Sequence, residues 1–266
     1  MSALTSRART TLERLRSKLP ATPPATTEAP EGPAVEDMLS PEERATIDRC
    51  RPYSLASAER LLGTIDAVEH AVTNDVPGSL VECGVWRGGS VLAMILTLQR
   101  HGIDDRDIYL YDTFEGMTEP GEHDTSPFDA PAADTWHEAT AEGKQAWDYM
   151  FRPDTFGRDQ VEELLLGTGY PAERLRFVVG PVEQTLPEVV PAAIAVLRLD
   201  TDWYESTRDE LEHLYPLISP GGVLIIDDYG HWEGARRAVD EYFARHGRRP
   251  LLARTDYTGR MGIKLG

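Results

Sequence analysis

Leu80-Val81-Glu82-Cys83-Gly84-Val85-Trp86-Arg87-Gly88-Gly89-Ser90 is the stretch on which the reading of this chain turns. A short apolar run breaks at Gly84, two more glycines follow, and Val91-Leu92-Ala93-Met94-Ile95-Leu96 then reads as a helix. Strand, glycine turn and helix in that order make the first half of a βαβ unit. Gly84 lets the backbone turn tightly, and Gly88 and Gly89 admit a ligand where a Cβ would block it. The amides opening the helix would face a polar or anionic group, so the stretch reads as a nucleotide-type site. Many βα turns use glycine for geometry alone, so the pattern needs support from the rest of the chain.

Working outward, residues 58–73 place Leu61, Leu62, Ile65, Val68 and Val72 at helical spacing, an amphipathic helix ahead of the glycine strand. Before it, Ser40-Pro41-Glu42-Glu43 reads as an N-cap, a proline at the first helical position and an acidic first turn. Residues 1–39 are expected to be a mobile tail, with a basic helix around Leu12, Leu15 and Leu19 and a Pro/Ala/Thr/Glu linker from Pro20 to Pro33. The folded domain is expected over 40–266.

Downstream, strands are expected at Ile108–Tyr111, Leu175–Val179, Ile194–Leu199 and Val223–Ile226, the last entered through a Pro220-Gly221-Gly222 turn. Ser206 is read as the cap of a helix through Leu211, Leu214 and Leu217, and a long helix runs from about Glu233 to His246. Two terminal strands are expected within 250–256 and 260–265. Residues 116–157, rich in Pro, Asp, Thr and aromatics, read as an insertion: either a lid-like substrate wall or a surface excursion. Strands alternating with helices give an α/β fold with a doubly wound, mostly parallel sheet.

Composition narrows the function. Lys and Arg number 27 against 45 Asp and Glu, a formal charge of −18, which argues against a nucleic-acid surface. Cys50 and Cys83 are too few for a disulfide framework or a cysteine zinc site. No apolar run reaches the length of a membrane span and no signal-peptide core opens the chain, so a cytoplasmic protein is expected.

In such a sheet ligands bind outside the carboxyl ends of the strands. Glu82, Asp112, Asp200, Asp202, Asp227 and Asp228 lie along that edge. Asp112, at the tip of the second strand, can accept both hydroxyls of a ribose. Asp200, Asp227 and Asp228, from two strand ends, cannot all stay charged without a counter-charge, and carboxylate oxygens suit a hard cation, Mg²⁺ before Zn²⁺. The plainer reading of Asp227-Asp228 is a turn capping the next helix.

Taken together the motifs resemble the macrocin O-methyltransferase (TylF) family. The likeness is carried by Arg51-Pro52-Tyr53 with Ser57-Ala58-Glu59-Arg60, by the glycine stretch, and by Tyr111-Asp112-Thr113-Phe114-Glu115-Gly116-Met117. It continues in Leu199-Asp200-Thr201-Asp202-Trp203-Tyr204-Glu205-Ser206-Thr207 and Asp227-Asp228-Tyr229. The resemblance implies a class I methyltransferase (Rossmann-like) fold, S-adenosylmethionine as methyl donor, and Mg²⁺ held by Asp200, Asp227 and Asp228. It sets Gly84, Gly88 and Ser90 along the methionine part of the donor, with Glu82 steadying the turn, Asp112 at the ribose and the loop after Gly180 at the adenine. The expected proton acceptor is Asp202, with Asp200 and His231 as alternatives. The expected partner is a small-molecule acceptor, a glycosylated natural product, with no nucleic acid and no membrane; a homo-oligomer is left open. A metal-dependent catechol-type methyltransferase, a nicotinamide-dependent dehydrogenase and a non-catalytic nucleotide-binding protein are the competing readings.

Overall fold

A computed structural model describes residues 33–186 and 188–266. The basic helix and most of the linker expected before Ser40 lie outside the described residues. Residues 38–266 form one compact unit. It is built from helices α1 (Pro41–Cys50), α2 (Ala58–Thr73), α3 (Gly89–Arg100), α4 (Ala132–Ala141), α5 (Arg158–Leu166), α6 (Tyr204–His213) and α7 (Glu233–His246). These alternate with strands β1 (Ser79–Cys83), β2 (Ile108–Asp112), β3 (Leu175–Val179), β4 (Ile194–Leu199), β5 (Ile218–Ile226), β6 (Ala253–Arg254) and β7 (Arg260–Ile263). The sheet runs β3-β2-β1-β4-β5-β7-β6, with the first five strands parallel and β7 antiparallel to β5 and β6. This is the doubly wound α/β architecture the alternation of elements predicts.

Local chemistry sets several boundaries. Ser40 caps α1 in a reciprocal capping box with Glu43, and Ser57 caps α2 by accepting from the Arg60 amide at 3.2 Å. The central strands β1 and β4 are buried on both faces, and alternate residues face opposite sides of the sheet. Val81, Cys83, Leu197, Leu199, Leu224 and Ile226 share a core with Leu211 of α6 and with Val239, Tyr242 and Phe243 of α7. Glu82 and Arg198, one step out of phase with that set, point to the other side and stand opposite each other in the β1–β4 register.

Three expectations change. Ser206 does not cap α6: its hydroxyl donates to the Trp203 carbonyl at 3.1 Å, inside the first turn. The cap comes from a distant residue, Asp124, whose Oδ1 accepts from the Tyr204 amide at 2.7 Å. Strand β5 starts earlier than expected, because Ile218 already pairs with Ile194 before residues 219–222 bulge out and Val223 pairs with Val196. The insertion carries its own helix, α4, and the chain leaves it through α5.

That insertion hangs on tryptophans from the strand-end loops. Trp86 donates its indole N–H to the Met150 carbonyl and Trp203 to the Thr118 carbonyl, each at 3.0 Å. Trp203 also packs against Trp147 and Trp232, with ring centroids 5.8 and 5.0 Å away. Among the described residues, no helix is long and apolar enough to cross a membrane.

Candidate active site

The carboxyl ends of β1, β2, β4 and β5 open into a cavity of about 540 Å³, and the insertion supplies part of its wall through Met117, Asp129, Trp147, Tyr149 and Met150. The β1 turn is fixed first. Gly84 has φ +81°, and a Cβ there would lie 1.9 Å from the Asp200 carbonyl oxygen, so glycine is what lets the ends of β1 and β4 close together. Gly88 takes φ +86°, and Gly89 borders the cavity. A Cβ on Gly88 would press on Val161 of α5, and one on Gly89 would meet the Tyr53 carbonyl.

Asp112 ties this turn to the end of β2. Its Oδ2 accepts from the amides of Val85 and Trp86 at 2.7 and 2.9 Å, and its Oδ1 from the Phe114 amide at 2.6 Å. A carboxylate offers about four acceptor directions, so most of those on Asp112 are taken by backbone. Burial raises its pKa against the pull of these amides. Trp86 and Phe114 both take positive φ, 48° and 54°, and Asp202 takes 68°. Left-handed backbone at three non-glycine residues, one on each of three site loops, is strain of the kind that persists only where surrounding contacts over-determine it.

Beside the turn lies a buried ion cluster centred on Arg198, whose side chain is completely enclosed. Its guanidinium donates to Glu82 Oε1 at 2.8 Å and pairs with Asp200 and Asp227. Asp227 is also gripped by Arg60 of α2, which reaches Asp256 at 3.0 Å and the Leu55 carbonyl at 3.2 Å. Part of the counter-charge that the acidic edge requires is therefore the protein's own, which a reading of the acids alone does not reveal. Burial nonetheless pushes the Glu82 carboxyl up to about 8, opposed by Arg198. Its second oxygen, Oε2, is buried with no hydrogen-bond partner among the described residues.

The remaining acids converge. Asp200, Asp202 and Asp228 each present a carboxylate oxygen within 4.8 Å of the others. Burial first, and the neighbouring carboxylate second, raise the pKa of both Asp202 and Asp228. Such a set of hard oxygen donors fits a divalent cation. Asp227, the third ligand nominated from sequence, lies outside that set and places one oxygen on each of two arginines.

His231 also lines the cavity, but both ring nitrogens are engaged: Nε2 with Asp129 of the insertion at 2.7 Å and Nδ1 with the Tyr257 hydroxyl at 3.0 Å. Phe128 stacks on its ring. Glu82, Gly84, Ser90, Asp112 and Gly180 border the cavity with the four aspartates; Gly88 stands behind it. Arg198, Arg60 and Glu210, which accepts from Thr201, are given no site role by the sequence. A charged residue inside an apolar strand such as Leu197-Arg198-Leu199 was the one available signal for a buried ion pair.

The sequence matches the family described as Macrocin-O-methyltransferase (TylF) over residues 26–261. It is 36% identical over 207 residues to 8-demethyl-8-(2,3-dimethoxy-alpha-L-rhamnosyl)-tetracenomycin-C 4'-O-methyltransferase of Streptomyces olivaceus, covering 78% of this chain and 74% of that protein. It is 33% identical over 207 residues to mycinamicin III 3''-O-methyltransferase of Micromonospora griseorubida, covering 78% and 76%. Among solved structures, the O-methyltransferase NovP superposes with a TM-score of 0.68 at 32% identity, over 80% of this chain and 83% of that one. These likenesses set aside the nicotinamide-dependent and non-catalytic readings. With the fold, the strand-end acids and the match over most of its length in agreement, the chain belongs to the macrocin O-methyltransferase family.

Proposed function

We propose that this O-methyltransferase moves the methyl group of S-adenosylmethionine onto a sugar hydroxyl of a glycosylated natural product, with Mg²⁺ bound at the acidic cluster. The observation that carries the reading is one cavity joining the glycine turn to three convergent carboxylates. The relatives named above support the acceptor class, since one is named for a rhamnosyl-bearing tetracenomycin and the other for a mycinamicin.

The residues fit such a donor. Glu82 Oε2, buried and unpartnered among the described residues, is an acceptor for its ammonium group. The turn at Gly84 and Ser90 would border its methionine part, the acceptor direction left on Asp112 would take a ribose hydroxyl, and the loop after Gly180 would border the adenine. Asp200, Asp202 and Asp228 would hold the cation, and Asp227 would keep Arg198 and Arg60 in place beside them. A cation there supplies Lewis acidity that makes an acceptor hydroxyl easier to deprotonate. The second carboxylate oxygen of Asp202 would take the hydroxyl proton. The enclosing walls hold the hydroxyl close to the methyl group and keep bulk water away.

The test is a mass-spectrometric screen of glycosylated acceptors with S-adenosylmethionine, run with Mg²⁺, with EDTA, and with Mg²⁺ restored. A gain of one methyl group that EDTA abolishes and Mg²⁺ restores is expected. Full turnover in EDTA would sink the metal reading, and methylation of unglycosylated catechols alone would replace the acceptor class.

A further inference from the structure

We infer that Glu210 is a positioning residue for methyl transfer: through the Thr201 hydroxyl it fixes the turn that carries Asp200 and Asp202 into the cavity. The inference rests on the role proposed above for those two carboxylates.

Glu210 lies on α6, fully enclosed, and does not itself line the cavity. The Thr201 hydroxyl donates to its Oε1 at 2.8 Å, and the Cys83 thiol lies against the same carboxyl group. Thr201 sits between the two aspartates, so its side chain ties the turn back to α6 while its neighbours face the carboxylate cluster. The turn needs such a tie. Asp202 has φ +68°, a left-handed conformation costly for a residue with a Cβ, and the turn is closed by a Trp203 amide bond to the Thr201 carbonyl at 2.8 Å. On the other flank Arg198 draws Asp200 inward. Without the Thr201 tie, Asp202 can relax to negative φ and carry its oxygen away from Asp200 and Asp228.

Burying a carboxyl group is expensive unless its hydrogen bonds are needed. Burial raises the Glu210 carboxyl well above the usual carboxylate range, and its Oε1 accepts from Thr201. Glutamine preserves that acceptor and leucine removes it. Valine in place of Thr201 keeps the shape and removes the donor; serine keeps the donor.

The experiment titrates the full-length protein with Mn²⁺ alone and, separately, with S-adenosylhomocysteine, by calorimetry. Thr201→Val and Glu210→Leu should weaken Mn²⁺ by about 10–100-fold, as expected when a support behind a metal ligand is lost. Their S-adenosylhomocysteine affinity should stay at the parent value, and Thr201→Ser and Glu210→Gln should behave as the parent towards both. Parent-like Mn²⁺ binding by Thr201→Val overturns the inference, and because that substitution is isosteric it decides the matter even if Glu210→Leu fails to fold. Equal loss of both ligands in all four variants also overturns it, by showing a general structural role. A parent that binds S-adenosylhomocysteine but no Mn²⁺ would remove the metal reading, and the inference with it.

Discussion

The two walls of the cavity are built differently. On the strand side, Glu82, Arg198 and Asp227 are buried, and Asp112 and Asp227 each have at least two partners within the protein. On the insertion side, Phe128 and Tyr149 are 61% and 71% exposed, and the segment is held by tryptophan hydrogen bonds and one buried aspartate, Asp124. A wall set by strand register holds charges to fractions of an ångström, as bond-making requires. A wall hung on a few pegs can change its surface without disturbing the sheet, as acceptor selection requires. The proposed chemistry would thus draw on the first wall and the choice of acceptor on the second.

The sharpest way to break that division is at Asp202. Asp202→Asn should lower turnover by about 10²–10⁴-fold, the usual loss of a general base, with S-adenosylhomocysteine affinity retained. Single-turnover kinetics with an acceptor that the parent enzyme methylates measures this. Normal turnover would take proton transfer away from the strand wall's Asp202 and give it to Asp200 or, across the cavity, to His231.

Trp203 joins the two walls, so its loss should affect both. It is 3% exposed and carries the Thr118 bond. Trp203→Ala should cost about 3–5 kcal/mol by urea denaturation, with faster proteolysis inside residues 126–150. A stability loss without increased cleavage would show that the insertion does not depend on this peg.

A smaller effect is expected from pH behind the strand wall. The folded chain keeps Glu210 protonated above its ordinary 4.5, whereas the unfolded chain releases that proton. The folded state thus binds more protons, and stability falls as pH rises past the unfolded value. Glutamine carries no such penalty. The melting temperature of Glu210→Gln should gain on the parent as pH rises past 4.5, by at most about 1.4 kcal/mol of stability over the first pH unit. A constant difference over that unit would mean that Glu210 is ionised when folded.

The smallest stability effect should come from the insertion wall. Phe128 is mostly exposed, stacks on His231 and meets Tyr257 edge-on, and both of these line the cavity. Phe128→Ala should change stability by less than about 0.5 kcal/mol while raising the acceptor KM and leaving S-adenosylhomocysteine binding unchanged. An unchanged acceptor KM would confine selection to deeper residues.

What the sequence by itself determined is local. The run from Ala58 to Thr73, the glycine turn after Cys83 and the acids at the ends of β2, β4 and β5 are legible because helical period, apolar runs and turn residues are short-range properties. The family likeness rests on the same stretches. What only the tertiary structure decided is which side chains face one another across the chain. Arg198 meets Glu82, 116 residues away, because the β1–β4 register sets them opposite on one face. Arg60 captures Asp227 from 167 residues away, which turns that aspartate from the group formed by Asp200, Asp202 and Asp228. Asp124 replaces Ser206 as the cap of α6, and Gly89 clears Tyr53. In each case the outcome is set by burial: a charge removed from water takes whichever partner the packing puts in reach, and that distance is not written in residue spacing.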